Sequence, residues 1–218
     1  MRLLLLIIFS SQFLPTLVFG DSDGQESTGR FAAQGNSEGQ FWLGYLYEEG
    51  DGIPQEYSDA VEQWRVSAEE GQVKAQCNLG LAYRLGIAIS KNKTKALKWW
   101  RLAAKQGDAK AQHNLGNMYA QGDGVSKSDS EAFKWYSMAA RQGIGRSQHR
   151  LGLIYRNGIG VIRDDRLALM WWNIAASQGL EVSRKAQINT EARMSRIDID
   201  ETHLMASRCI QSNYKSCC

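Results

Sequence analysis

Cys77, His113 and His149 recur at a 36-residue step, and a thiol with two imidazoles is a donor set that zinc accepts. The step itself argues against a metal centre. Neighbouring helices pack about 8–10 Å apart, whereas zinc bonds are about 2.0–2.3 Å long. Three side chains carried by successive helices cannot close on one ion, so no metal is expected. Gly20, Ser22 and Gly24 spell the nucleophile elbow of a hydrolase, a motif that works only on a strand–turn–helix corner. Nothing around it reads as a strand. The chain shows no serine–lysine signature and no convergent acid, base and nucleophile, so neither catalysis nor a cofactor is expected. Asn92-Lys93-Thr94 is a glycosylation sequon, meaningful only in a eukaryotic secretory host.

What positions these residues is a repeat. Gly35, Gly71, Gly107, Gly143 and Gly179 stand 36 residues apart without an insertion. Leu43, Leu79, Leu115 and Leu151 keep the same step, each followed by glycine, as do Tyr47, Tyr83, Tyr119 and Tyr155. Trp64, Trp100, Tyr136 and Trp172 share one position, and Ala68, Ala104, Ala140 and Ala176 another. The recurring tryptophans therefore belong to a core rather than to a sugar-binding platform. Four units follow, 35–70, 71–106, 107–142 and 143–178. Residues 21–34 are expected to be a flexible lead and a partial helix, and 179–218 a C-terminal helix or helices and a cysteine-containing tail.

Each unit reads as two helices. Ala111, Leu115 and Tyr119 lie at i, i+4 and i+8 and build one apolar face. Gly122-Asp123-Gly124 then breaks the helix, because glycine accepts the positive φ of a tight turn. Ser128 with Glu131 forms a capping-box signature, and Asn92 and Asp164 are the corresponding N-caps. Gly116 and Ala140 allow close approach between helices. Ala88 stands where other units have a turn glycine, so the second loop is expected to be irregular. A single pair cannot bury its own apolar face, but stacked pairs can. The fold class is all-α, a right-handed α-solenoid of stacked antiparallel helix pairs.

Composition agrees. The 218 residues are 43% hydrophobic and 22% charged with a net charge of +3, which excludes a disordered chain and gives no support to nucleic-acid binding. At the start, Met1-Arg2 precedes the apolar run Leu3–Phe9, and Gly20 ends a stretch of small or modest side chains. This reads as a signal peptide over residues 1–20. Ser10-Ser11-Gln12 and Pro15 interrupt the stretch, so stable membrane insertion is not expected. The expected location is secreted or periplasmic, or the endoplasmic-reticulum lumen in a eukaryote.

The spacing and residue types resemble the Sel-1-like repeat family. Gly107 through Tyr119, Gly122 through Val125 and Glu131 through Gln142 carry the pattern. The resemblance implies a tetratricopeptide-like superhelix that holds other proteins, with the first helix of each pair lining a concave face. The partner-facing residues then fall on four rows: Lys74, Lys110 and Arg146; Cys77, His113 and His149; Leu81, Asn117 and Leu153; Arg84 and Arg156. The basic rows point to an acidic protein or peptide partner. A rival reading comes from the cysteine-rich branch of the same family, linked with β-lactam or cell-wall-fragment binding and hydrolysis. This chain lacks that branch's bridge in each repeat. At the C-terminus Cys209 can pair with Cys217, a separation resembling that branch, or with Cys218. The unpaired terminal thiol could join a second chain.

Overall fold

The structure, a computed structural model, describes residues 55–214 and 217. Residues 1–20, the lead and the first helix of the first repeat lie outside the described residues. Those described hold nine helices and no strand: α1 (Gln55–Glu69), α2 (Val73–Leu85), α3 (Lys93–Lys105), α4 (Ala109–Gln121), α5 (Asp129–Ala140), α6 (Gly145–Asn157), α7 (Asp165–Ser177), α8 (Glu181–Glu191) and α9 (Arg196–Gln211). Ser58–Cys218 pack as one unit. Within it α2 packs on α3, α4 on α5 and α6 on α7, and each pair rests on the next. This is an α-solenoid.

The interior follows from the periodic residues. Leu115 and Leu151 have no exposed surface and Leu79 has 1%. Ala104 and Ala140 are likewise closed to solvent, and Trp100, Tyr136 and Trp172 are buried beside them. The aromatic rings press on the glycine of the preceding helix so tightly that a Cβ on Gly80, Gly116 or Gly152 would lie 2.5, 2.5 or 2.2 Å from the ring. The Trp100 indole N–H donates to the Cys77 carbonyl at 3.0 Å and that of Trp172 to the His149 carbonyl at 3.3 Å. Tyr136 reaches instead to the Asn117 side-chain oxygen, its hydroxyl donating at 2.8 Å.

Caps and turns define the helix ends. Asn92, Ser128 and Asp164 accept backbone N–H bonds at the starts of α3, α5 and α7. Only half of the expected capping box forms: Glu131 accepts from the Trp135 indole at 3.0 Å, and the Ser128 backbone N–H goes to the Tyr119 carbonyl. The second loop is not irregular. Ala88 adopts φ 57°, beside 73° for Gly124 and 69° for Gly160, and the Asn92 N–H still closes the loop on the Tyr83 carbonyl at 2.8 Å. The repeat geometry overrides the local preference of alanine.

A glutamine relay seals each seam between repeats. Gln112 donates to the Ala104 carbonyl at 3.2 Å while its own oxygen accepts from Gln142 at 2.8 Å. Gln76 with Gln106, and Gln148 with Gln178, repeat the arrangement. The relay stops at the last pair, where Arg184 follows Gln148 in the 36-residue step and Tyr214 follows Gln178. There α9 packs on α7 rather than on α8. Cys209 and Cys217 are both buried and sit with Cα atoms 4.5 Å apart, a spacing that a disulfide spans.

Candidate protein-binding surface

Because α2, α4 and α6 start at equivalent points of the 36-residue step, equivalent side chains emerge in rows. Lys74, Lys110 and Arg146 are all exposed at the second residue of their helices. Leu81, Asn117 and Leu153 are half-buried, and Asn117 is occupied by the Tyr136 hydroxyl.

The second row is engaged within the protein itself. Cys77, expected on the partner-facing surface, is buried in the core, and that burial with the nearby Asp108 carboxylate pushes its thiol pKa up. His113 and His149 are half-buried and bind forward into the next repeat. His113 Nδ1 lies 2.7 Å from Ser147 Oγ, and His149 Nδ1 lies 2.9 Å from Ser183 Oγ. His113 Nε2 also meets the Asn117 side-chain nitrogen at 3.1 Å, so that nitrogen accepts and Nδ1–H donates to the serine. Burial first, then the Arg146 and Arg150 charges, lower the His113 pKa to about 4. The same causes, burial and Arg150, lower that of His149. Both imidazoles are neutral connectors between repeats at neutral pH.

The fourth row is also drawn into the structure. Arg84 forms an ion pair with Asp123 at 2.7 Å, and Lys93 reaches the other oxygen of the same carboxylate at 2.7 Å. Asp123 sits in the loop of the next repeat with only 9% of its side chain exposed, so the triad bridges two repeats. Arg156 pairs with Asp165 at 3.0 Å, and Arg163 shares that carboxylate at 2.9 Å. The hydrogen bond from Arg163, supported by Arg156, holds the Asp165 carboxyl below the usual carboxylate range. Neither Arg84 nor Arg156 is an uncommitted cation. Among the described residues of these rows, the exposed positive charge comes from Lys74, Lys110 and Arg146, with exposed Arg150 beside them.

Two further signals lie in the sequence. The glutamine pairs keep the same 36-residue step as the leucines. His113 and His149 each have a serine 34 residues ahead, whereas Cys77 has Ala111 there.

The profile of the Sel1 repeat matches residues 37–71, 73–108, 109–144 and 145–180. The chain belongs to the Sel1 repeat family. Two solved structures resemble it over 77% of its length. One is a protective antigen of uropathogenic Escherichia coli with an SLR fold, 36% identical, TM-score 0.60; the chain spans 36% of the antigen's own length. The other is a Sel1 repeat protein from Oxalobacter formigenes, 35% identical, TM-score 0.59, of which it spans 69%. No curated protein matches the sequence. Proteins built from Sel1 repeats typically act as protein-interaction scaffolds, and among the described residues no helix is long and apolar enough to cross a membrane.

Proposed function

We propose that this Sel1 repeat protein is an exported, non-catalytic scaffold that holds an acidic segment of a partner protein along the first helices of its repeats, on the concave side of the solenoid. One observation carries the reading: Lys74, Lys110 and Arg146 are exposed at one position of α2, α4 and α6. Regularly spaced cations on a rigid surface steer and register an extended anionic chain more than they add raw affinity. The repeats that hold them are tied one to the next by Gln76, Gln112 and Gln148, each donating to a backbone carbonyl of the preceding repeat. Export is supported by the Met1–Gly20 segment and by the neighbouring Cys209 and Cys217 sulfurs, since disulfides persist in oxidising compartments.

The test is capture from the protein's own cells by the full chain and by a Lys74→Glu, Lys110→Glu, Arg146→Glu variant. All three side chains are exposed, so the variant keeps its helical circular dichroism. Loss of the captured partner supports the proposal, together with weakening of wild-type capture as salt is raised. Undiminished capture by the variant at low salt overturns it. N-terminal sequencing of the purified protein tests export, with Asp21 expected as the first residue.

A further inference from the structure

The last helix pair leaves open a groove that the regular repeats close. In the second to fourth units a glycine lets the second helix lie against the first. One step further on, the glycine of that position is Ile188 and the leucine before it is Gln187. A branched side chain there excludes the close approach, and the loop from α8 to α9, residues 192–195, is shorter than the loops at 86–92, 122–128 and 158–164. Helix α9 turns to α7 instead, and a groove of about 590 Å³ remains between α7, α8 and α9. That volume lies within the range of ligand sites, about 300–1,000 Å³.

The lining has a defined chemistry. Ile188 is 59% exposed and Ile210 40% exposed, and both line the groove. Asn173, from α7, also lines it, with its amide nitrogen and oxygen both buried and both without a hydrogen-bond partner. A native interior rarely tolerates a donor and an acceptor left unmade on one side chain. Arg184 and His203 contribute positive or ionisable nitrogen, and no carboxylate among the described residues lines the groove. Glu191 is bound to His203 at 2.9 Å, and Glu181 stands 3.7 Å from Arg184 in a solvent-exposed pair that a ligand carboxylate can displace.

We propose that this groove binds an extended peptide segment of a partner protein, with an apolar side chain between Ile188 and Ile210, a backbone amide on Asn173 and an adjacent carboxylate on Arg184. A side-chain amide offers one donor face and one acceptor face, the complement of a single peptide unit. A described helix face of a second copy, its backbone groups already bonded, would meet Asn173 through side chains alone. The site is separate from the first-helix row and does not depend on it.

The probe is an array of labelled, N-acetylated pentapeptides carrying one leucine and one aspartate in every arrangement on a glycine background, applied to the full chain. Wild type is expected to retain a subset with leucine and aspartate at a fixed separation. Asn173→Leu should weaken that subset by about tenfold or more, the scale of one buried hydrogen bond set, without lowering the melting temperature, because it removes an unpaired amide of similar volume. Arg184→Glu, on the exposed rim, should weaken the same peptides even if the first variant folds poorly. Lys110→Glu should leave them unchanged, which separates this site from the scaffold surface. The proposal is overturned if wild type retains no peptide, if binding survives both groove variants, or if only Lys110→Glu abolishes it. A concentration-dependent dimer dissolved by Ile188→Glu would assign the groove to a second copy and equally overturn it.

Discussion

Gly116→Ala is the sharpest test of how the helices are held. The added Cβ would lie 2.5 Å from Tyr136 Cδ1, 2.6 Å from Cε1 and 3.0 Å from Cγ. Ordinary carbon contacts begin near 3.5 Å, so α4 or the ring must move by about 1 Å. The ring has little freedom: Tyr136 is 2% exposed, and its hydroxyl is held by Asn117. Overpacking of this kind costs about 1–3 kcal/mol, here near the upper end. Replacing a mid-helix glycine by alanine returns about 1 kcal/mol. The net loss is then about 2 kcal/mol, or roughly 4–8 °C in melting temperature for an ordered unit of this size. Urea and thermal melts followed at 222 nm measure it. In a Tyr136→Leu background the same substitution should cost at least about 1 kcal/mol less, because the contact is gone. An unchanged cost in that background, or a Gly116→Ala protein more stable than wild type, refutes the reasoning.

Other consequences concern single residues. His113 has its pKa lowered to about 4 in the fold, so between that value and the unfolded value of about 6.5 the unfolded chain binds more protons. Stability should therefore fall as pH drops through that window and level off below it, and His113→Gln should flatten that part of a urea-midpoint profile. Ala88→Gly relieves a left-handed alanine and should stabilise by about 0.5–1 kcal/mol in the same melts. Arg84→Ala leaves the nearly buried Asp123 carboxylate with Lys93 alone and should cost about 1–2 kcal/mol, while Lys110→Ala stays within about 0.5 kcal/mol. Cys209 and Cys217 should resist iodoacetamide in the unreduced, denatured exported protein and react after reduction, as peptide mass spectrometry reads.

The fold was legible because its cause is periodic. Leucine, glycine, aromatic and alanine positions recur at one step, and a backbone that repeats must bury them alike. Ala88 shows the same logic from the other side: the repeat holds its loop in a conformation that alanine alone would avoid. The site was less legible. Spacing places a side chain on a row but says nothing of what lies opposite it in the next repeat. Cys77 faces Ala111-bearing core, His113 and His149 meet serines, and Arg84 meets an aspartate that the second and fourth loops lack. Among the described charged residues of these rows, Lys74, Lys110 and Arg146 have no such counterpart to draw them in. The groove at the C-terminal pair was hidden because it arises from a failure of the pattern, at Gln187 and Ile188, where attention to recurrence sees nothing.

The central claim is that partner proteins are held on the first-helix face. A photo-crosslinking amino acid placed at Lys110, and in a second protein at the exposed Lys134 of α5, reports directly on which face is occupied in the native cells. The account predicts a single dominant adduct from position 110 and none from position 134. An adduct from position 134 alone, or none from position 110 when the protein is present at its natural level, would contradict it.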